Sequence, residues 1–428
     1  MRICSERGKE AIVIVLFGEL LQGLRGNGVW EDAYFACWHE ELVYTLLPHG
    51  RNRGAVPGSI CVASDDGDIS IQTAGKPDDM VRVVVHRAGS VPEKETTSPP
   101  ITAIGHVRHK TGWKRVPVQI VPVREELFSR FRGLLETPVL SEKRVLVVGQ
   151  GSGGSLVDLE LAKSGVMNFN LVDHDRLEVG NVARHVAGLS HVGRYKTKVM
   201  ADLIREKNPY AKVETLEEKV SWDNAEGVRD MVRKADIIIC ATDERQSKLV
   251  MNRLCVEEKK PCVFGGAFRR AYGGQVLLVR PYESPCYQCF LMLLPDQAGD
   301  EEISSREQAE GLAYTDRPVP IEPGLSTDIA PISIMVVKLV IQELLKGRET
   351  TFRSLDDDLK ASWYLWLNRR ELGTQYERLQ PLEFNVGGMH ILRWYGVDVK
   401  QHPACPVCGK FEDLLATQRG LEPLIVYD

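Results

Sequence analysis

The stretch "RVLVVGQGSGGSLVDLELAKSGV", Arg144–Val166, decides the fold. A short apolar run leads into Gly149, Gly151 and Gly154, spaced G-x-G-x-x-G, and a segment with helical spacing follows until Gly165. Strand, glycine turn and helix in that order make a phosphate-binding turn. The glycines let the backbone come close to the ligand, and the helix N-terminus offers unpaired N–H groups. An acidic residue about 20 positions on should meet ribose hydroxyls, and Asp173, ending "NLVD", stands 19 residues after Gly154. The turn by itself leaves open whether the ligand is a dinucleotide, as in an NAD-dependent oxidoreductase, or a nucleoside triphosphate.

Downstream of the turn, strand and helix patterns alternate. "NFNLVDHD", "KVETLEEKV", "ADIIICATD" and "QVLLVRP" read as strands, while "KTKVMADLIREKNP" and "APISIMVVKLVIQELLKG" read as helices. Helices of about a dozen residues between strands imply right-handed crossovers and a doubly wound, mainly parallel sheet of the Rossmann-like α/β class. Upstream, "GSICVASDDGDISIQTAG", "MVRVVVHRAG" and "RVPVQIVPV" are β-rich and punctuated by Gly, Asp and Pro. The expected organisation is a smaller N-terminal α+β domain over 1–124, of unassigned role, and a nucleotide-binding domain over 125–428.

The 428 residues, 43% hydrophobic and 26% charged, have the composition of a globular chain. The net charge of −5 gives no basic surface for nucleic acid. "AIVIVLF", Ala11–Phe17, is too short to cross a membrane and lacks a cleavage site, so a cytoplasmic protein with no membrane partner is expected. In that compartment ten cysteines do not form a disulfide scaffold.

The residues after Asp173 do not suit a dinucleotide. Asp175, Asn181, Arg184, Lys196 and Lys198 come within 25 residues, and Asp243 ends the strand "IIICATD". Several converging cations match the charge of a triphosphate, and an aspartate at a strand's carboxyl end suits Mg²⁺.

The segment "RVLVVGQGSGGS…LVDHDRLEVGNVARH…VGRYKTKV…CATDERQSKLVMNRLCVEEKKPCVFGGAFRRAYGGQV…PCYQC…CPVCG" resembles the ThiF, MoeB and ubiquitin-activating adenylyltransferases over about Glu125–Gly409. The resemblance implies ATP and Mg²⁺, with Asp173 on the ribose, Asn181, Arg184 and Lys196 around the phosphates, and Asp243 near the metal and α-phosphate. It implies also an arginine from a helix before the first strand, Arg130 or Arg132, reaching the triphosphate across a homodimer. The activity implied is adenylation of the C-terminal carboxylate of a ubiquitin-like or sulfur-carrier protein, with release of pyrophosphate. The extra N-terminal domain resembles the fused members found in bacterial ubiquitin-like conjugation operons, where such a domain would recruit a conjugating partner. A Rossmann oxidoreductase and a degenerate protein-binding scaffold are the competing readings.

Cys286 and Cys289 in "SPCYQCF" and Cys405 and Cys408 in "HPACPVCGKF" supply four thiolates for a tetrahedral Zn²⁺. With 115 residues between the pairs, spacing alone also allows two separate redox pairs. The resemblance favours a structural zinc with knuckles at 286–289 and 405–408. The crossover loop, 294–328, departs from the family pattern because it contains no cysteine to carry a thioester. Its hydroxyls Thr315, Ser326 and Thr327 are the alternative acyl acceptors, although they read more simply as loop and cap residues. Cys255 and Cys262 are the other candidates.

Overall fold

The computed structural model describes residues 13–17, 21, 24, 29–38, 43–46, 55–63, 75–87, 101–121, 127–293, 324–348, 355–374, 376–379 and 389–409. The chain divides into two compact units, Met1–Arg130 and Phe131–Asp428, against the 124/125 boundary read from the sequence.

The first unit contains strands β1 (Val13–Phe17), β2 (Trp30–Trp38), β3 (Val43–Leu46), β4 (Val56–Ala63), β5 (Val81–Arg87), β6 (Ile101–His109), β7 (Gly112–Val116) and β8 (Val118–Val121). They form one mixed sheet in the order β7-β6-β5-β4-β2-β3-β1-β8. Period-two alternation buries Ile14 and Leu16 of β1 against Phe35, Val83 and Val107. A side chain at Gly105 of β6 would collide with Ile14 and Val118, so the sheet curls until β6 lies on β1 and β8.

The second unit begins with the short helix α1 (Thr137–Glu142) and is built on β9 (Arg144–Val148), α2 (Ser152–Lys163), β10 (Asn168–Val172), α3 (Lys196–Lys207), β11 (Lys212–Leu216), α4 (Ala225–Lys234), β12 (Ile237–Cys240) and α5 (Arg245–Glu257). It continues through β13 (Cys262–Ala267), β14 (Gly273–Val279), α6 (Tyr287–Leu293), α7 (Ser326–Leu345), β15 (Trp363–Leu367) and β16 (Trp394–Val397). The sheet order is β11-β10-β9-β12-β13-β14-β15-β16. Pairs from β11 to β13 are parallel, and β14 to β16 add an antiparallel flank. The doubly wound, mainly parallel class is therefore what the chain adopts.

β9 is apolar from Val145 to Val148 because both of its faces are covered there. Val145 and Val147 pack with Leu161 of α2, Met200 of α3 and Leu339 of α7, while Leu146 and Val148 pack with Val250 and Leu254 of α5. Each such side chain contributes about 1.5–3 kcal/mol by burial. The strand order reverses at β9, with β10 on one side and β12 on the other. That reversal opens a crevice beyond the carboxyl ends of β9 and β12, the usual ligand position in open α/β sheets.

Two local expectations are corrected. Arg130 and Arg132 do not lie on an α-helix: a 3-10 turn at Ser129–Phe131 and a turn over 132–134 lead into α1. α7 begins at Ser326 and runs through Pro331, where the sequence places the proline at the helix start. The extra turn is held by packing: Ile329 lies against Gly153 and Gly324, and Ser333 Oγ donates to Gly153 O (3.2 Å).

Candidate functional site

The glycine turn takes its shape from close backbone approach. Gly149 has φ +95°, and a Cβ there would lie 2.7 Å from Thr242 N and 2.8 Å from Ala241 C. The turn is thus pressed against the segment leading to Asp243. A Cβ on Gly154 would run into the Gly149 carbonyl, which is why α2 can start so near the strand end. Gly151 is the N-cap of α2 and its would-be Cβ meets nothing within 4 Å among the described residues.

Asp173 ends β10 beside the turn. Gln150 N–H donates to its Oδ2 (2.6 Å) and Asp175 N–H to its Oδ1 (2.8 Å). Burial pushes the carboxyl up, opposed by the Lys196 charge and by these two N–H groups. A carboxylate has about four lone-pair sites, so two remain for ribose hydroxyls.

The segment 174–196 folds back over the turn as a strap. Asn181 Oδ1 accepts Glu178 N–H (3.0 Å), and its carbonyl accepts the N–H groups of Arg184 (3.0 Å) and His185 (2.8 Å). Ser152 Oγ donates to Arg184 O (3.0 Å), tying the strap to the first turn of α2. His185 completes the tie: its Nδ1 accepts Ala187 N–H (3.0 Å), so Nε2 carries the proton and donates to Gln150 O (3.0 Å). Burial lowers the His185 pKa to about 4, which keeps the ring neutral at physiological pH. Lys196, the first residue of α3, is buried and its Nζ donates to Asp175 Oδ2 (2.7 Å). Lys198 is turned elsewhere: its ammonium serves Thr215 Oγ1 (2.6 Å) and Glu217 (3.4 Å). Gly149, Gly151, Gly154, Asp173, Asp175, Asn181, Arg184 and Lys196 are therefore within one neighbourhood, and Lys198 is outside it. Asp243 comes after β12 and is exposed, its carboxylate unpaired among the described residues.

The re-entry of the chain into α7 closes the other wall. A Cβ at Gly324 would lie 3.1 Å from Ala271 Cβ and 3.9 Å from Arg184 Nη1. Arg270 and Ala271, between β13 and β14, have φ of 54° and 50°, a conformation costly for non-glycine residues. Arg369 and Asn368, just beyond β15, hold it in place. Arg369 donates to the Arg270 and Ala271 carbonyls and pairs with Asp328 (2.8 Å), and Asn368 Nδ2 donates to Ala271 O and Asp328 O (2.9 Å each).

Ser326 and Thr327 lie exposed in the first turn of α7; Thr315 and most of the crossover loop fall outside the described residues. Arg130 and Arg132 are exposed, and no hydrogen bond or ion pair joins Arg132 to the glycine turn among the described residues. Cys255 and Cys262 are wholly buried, and burial pushes the Cys262 thiol well up, so neither is an accessible nucleophile.

The two C-x-x-C segments form one cluster, not two separate pairs. All four sulfurs lie within 4.8 Å of one another, with Cys286 to Cys405 at 3.6 Å and Cys289 to Cys408 at 3.3 Å. Four ligands about 2.3 Å from a tetrahedral Zn²⁺ would stand about 3.8 Å apart, so the donor set fits. Hydrogen bonds among the thiols, that with Cys286 foremost, pull Cys405 far down.

Sequence reasoning did not single out Gln150, Ser152, His185, Arg369 or Ser333. Only His185 carried a signal, standing beside Arg184 in "NVARH".

Residues 124–359, more than half of the chain, match the ThiF family model. The chain belongs to the ThiF family. It is 31% identical over 223 residues to the maize (Zea mays) protein named adenylyltransferase and sulfurtransferase MOCS3-1, covering 52% of this chain and 44% of that one. It is 29% identical over 164 residues to the sulfur carrier protein ThiS adenylyltransferase of Escherichia coli K12, covering 38% of this chain and 62% of that one. This ThiF-family chain thus spans 44% and 62% of the length of these two curated relatives. A solved structure of E. coli MccB with ATP is similar at 19% identity and a TM-score of 0.45, over 64% of this chain and 68% of that one. No helix among the described residues is long and apolar enough to cross a membrane.

Proposed function

We propose that the chain is an ATP-dependent adenylyltransferase that activates the C-terminal carboxylate of a ubiquitin-like or sulfur-carrier protein. The observation that carries the reading is the glycine turn of α2 bounded by Asp173, the buried Lys196 and the strap bearing Arg184, with Asp243 at the next strand end. Those cations match the charge of a triphosphate better than that of a dinucleotide's pyrophosphate.

Asp173 would take the ribose hydroxyls, while the turn's N–H groups and the α2 N-terminus take phosphate oxygens. Arg184 and Lys196 lower the repulsion between two approaching anions and hold them in line. The carrier's carboxylate oxygen attacks the α-phosphorus, and the bond from that phosphorus to the pyrophosphate bridging oxygen breaks with its electron pair leaving on pyrophosphate. No proton moves, because the carboxylate is already ionised near neutral pH. The donor set at Asp243, an exposed carboxylate beside the turn, suits Mg²⁺, which when bound supplies positive charge to the phosphates. Arg130 or Arg132 from a second copy of the chain is the further cation assigned to the triphosphate. Zn²⁺ on Cys286, Cys289, Cys405 and Cys408 would be structural, since a Cys4 site has no open position.

The test is ATP–pyrophosphate exchange with carriers ending in Gly-Gly, on wild type, Lys196→Met and Asp243→Ala. Wild type is expected to show carrier-dependent exchange, reduced at least about 100-fold in either variant. Stability should change little in Lys196→Met, because Asp175 is left half exposed to water. Absence of carrier-dependent exchange by wild type overturns the reading.

A further inference from the structure

Asn252 stands in the interior of α5 and is wholly buried. Both placements are unfavourable for this residue type. Asparagine is a poor helix former, and an amide taken out of water costs free energy unless its donor and acceptor are both used. Its Oδ1 accepts the N–H of Tyr287 (2.9 Å), which fixes the amide so that Nδ2 faces Cys286 Sγ at 3.6 Å. The two bonds run to neighbouring residues of the first C-x-x-C, so a side chain that the proposed adenylation does not use joins α5 to the thiol cluster.

Tyr287 carries the connection further. Its buried ring stacks on Phe264 of β13, with centroids 5.0 Å apart. Lys248, one helical turn before Asn252 on the same face of α5, places Nζ 5.9 Å from the centroid of that ring. The same Nζ lies 3.4 Å from where a Cβ on Gly266 of β13 would stand. One residue of the cysteine motif is therefore gripped by α5 and β13 together, and α5 begins at Arg245, just after Asp243.

We propose that Asn252 is a positioning residue that donates to the Cys286 thiolate of the metal-loaded cluster and, through the same amide, seats α5 and with it Asp243. Four thiolates around one Zn²⁺ leave an excess of negative charge, and an N–H aimed at a sulfur offsets part of it. The backbone does this for Cys289, which accepts His402 N–H (3.4 Å). For Cys286 the donor comes from a helix outside both cysteine segments, and that is what ties the cluster to the nucleotide side of the sheet.

The inference rests on the zinc reading of the cluster, and its consequence at Asp243 on the proposed ATP site. Zinc affinity of the full chain, by chelator competition, should fall about 10–100-fold in Asn252→Leu, which keeps the size of the side chain and makes neither bond. In wild type loaded with a spin-active cadmium isotope, the side-chain amide protons of Asn252 should show scalar coupling to the metal across the N–H···S bond, a measurement independent of how the variant folds. ATP, by calorimetry, should bind about 5-fold or more weakly to Asn252→Leu. Equal zinc affinities in the two proteins, or cadmium-loaded wild type without the coupling, overturns the bond to Cys286. Unchanged ATP affinity in a variant whose zinc affinity has fallen overturns the link to Asp243. Wild type that binds no metal refutes the zinc reading and this inference with it, whereas wild type that binds metal but not ATP refutes the proposed function and leaves the bond to Cys286 decided by the cadmium spectrum.

Discussion

Replacing Gly149 by alanine should injure two parts of the site at once, and replacing Gly151 should injure only one. At Gly149 the backbone has φ +95°, and the new Cβ would lie 2.7 Å from Thr242 N and 2.8 Å from Ala241 C. Ordinary van der Waals contact begins at 3.4 Å, so β9 and the segment after β12 must separate by about 0.7 Å. Positive φ costs about 1–2 kcal/mol for a residue with a Cβ, and forced overpacking a further 1–3 kcal/mol or so. Because Asp243 comes directly after Thr242, the displacement carries into the proposed metal ligand, and misplacement of that order costs about 100-fold in rate. At Gly151 the added methyl meets no described atom within 4 Å and φ is −76°, so stability should stay within about 0.5 kcal/mol. ATP should nevertheless bind at least about 10-fold more weakly, since the methyl occupies the approach to the α2 N-terminus. Urea melts and ATP titration of both variants separate the effects. A Gly151→Ala variant that binds ATP as wild type does would refute the assignment of phosphate to this turn.

His185 makes stability depend on pH. Its folded pKa is about 4 against an ordinary 6.5, so between those values the unfolded chain binds the proton and the folded chain does not, and stability falls as pH drops through that window. The loss should reach about 3 kcal/mol by pH 4. It should be absent in His185→Gln, whose amide can replace both hydrogen bonds; parallel pH curves for the two proteins would contradict this. The thiol cluster should hold about one zinc per chain by elemental analysis, falling to near zero in Cys405→Ser. A metal-free protein whose mass shows disulfides would return the cysteines to redox chemistry.

The parallel core was legible because the strands buried on both faces, "RVLVV" and "IIIC", have no polar residue among their buried positions to disguise them. β13 was not legible. Its sequence, "CVFGGA", contains two glycines that read as a break, yet the first is demanded by packing: a Cβ at Gly265 would lie 2.8 Å from Val336 where α7 crosses. The start of α7 was hidden for the opposite reason, a proline that local rules place at a helix start and that tertiary contacts carry into the interior. In the site, residue types gave away the charges, Asp173, Arg184, Lys196 and Asp243. The neutral parts that aim them, Gln150, Ser152 and His185, act through backbone carbonyls and N–H groups, and such bonds leave no mark in the chain's composition.

The same geometry bears on the fate of the acyl-adenylate. A thioester needs an accessible thiol, and the cysteines described in the second unit are all buried. Hydroxyls are present at Ser326 and Thr327, but a hydroxyl must lose a proton to attack. The carboxylate in the same turn, Asp328, is committed to Arg369 and the strained Arg270–Ala271 corner. Freeing it to serve as a base would release the clamp that fixes the α7 entrance beside Arg184. Positioning and base catalysis therefore compete for one side chain, and the fold uses it for positioning. The described residues of the second unit therefore offer the proposed acyl-adenylate neither an accessible thiol nor, in the first turn of α7, a carboxylate free to act as a base for Ser326 or Thr327.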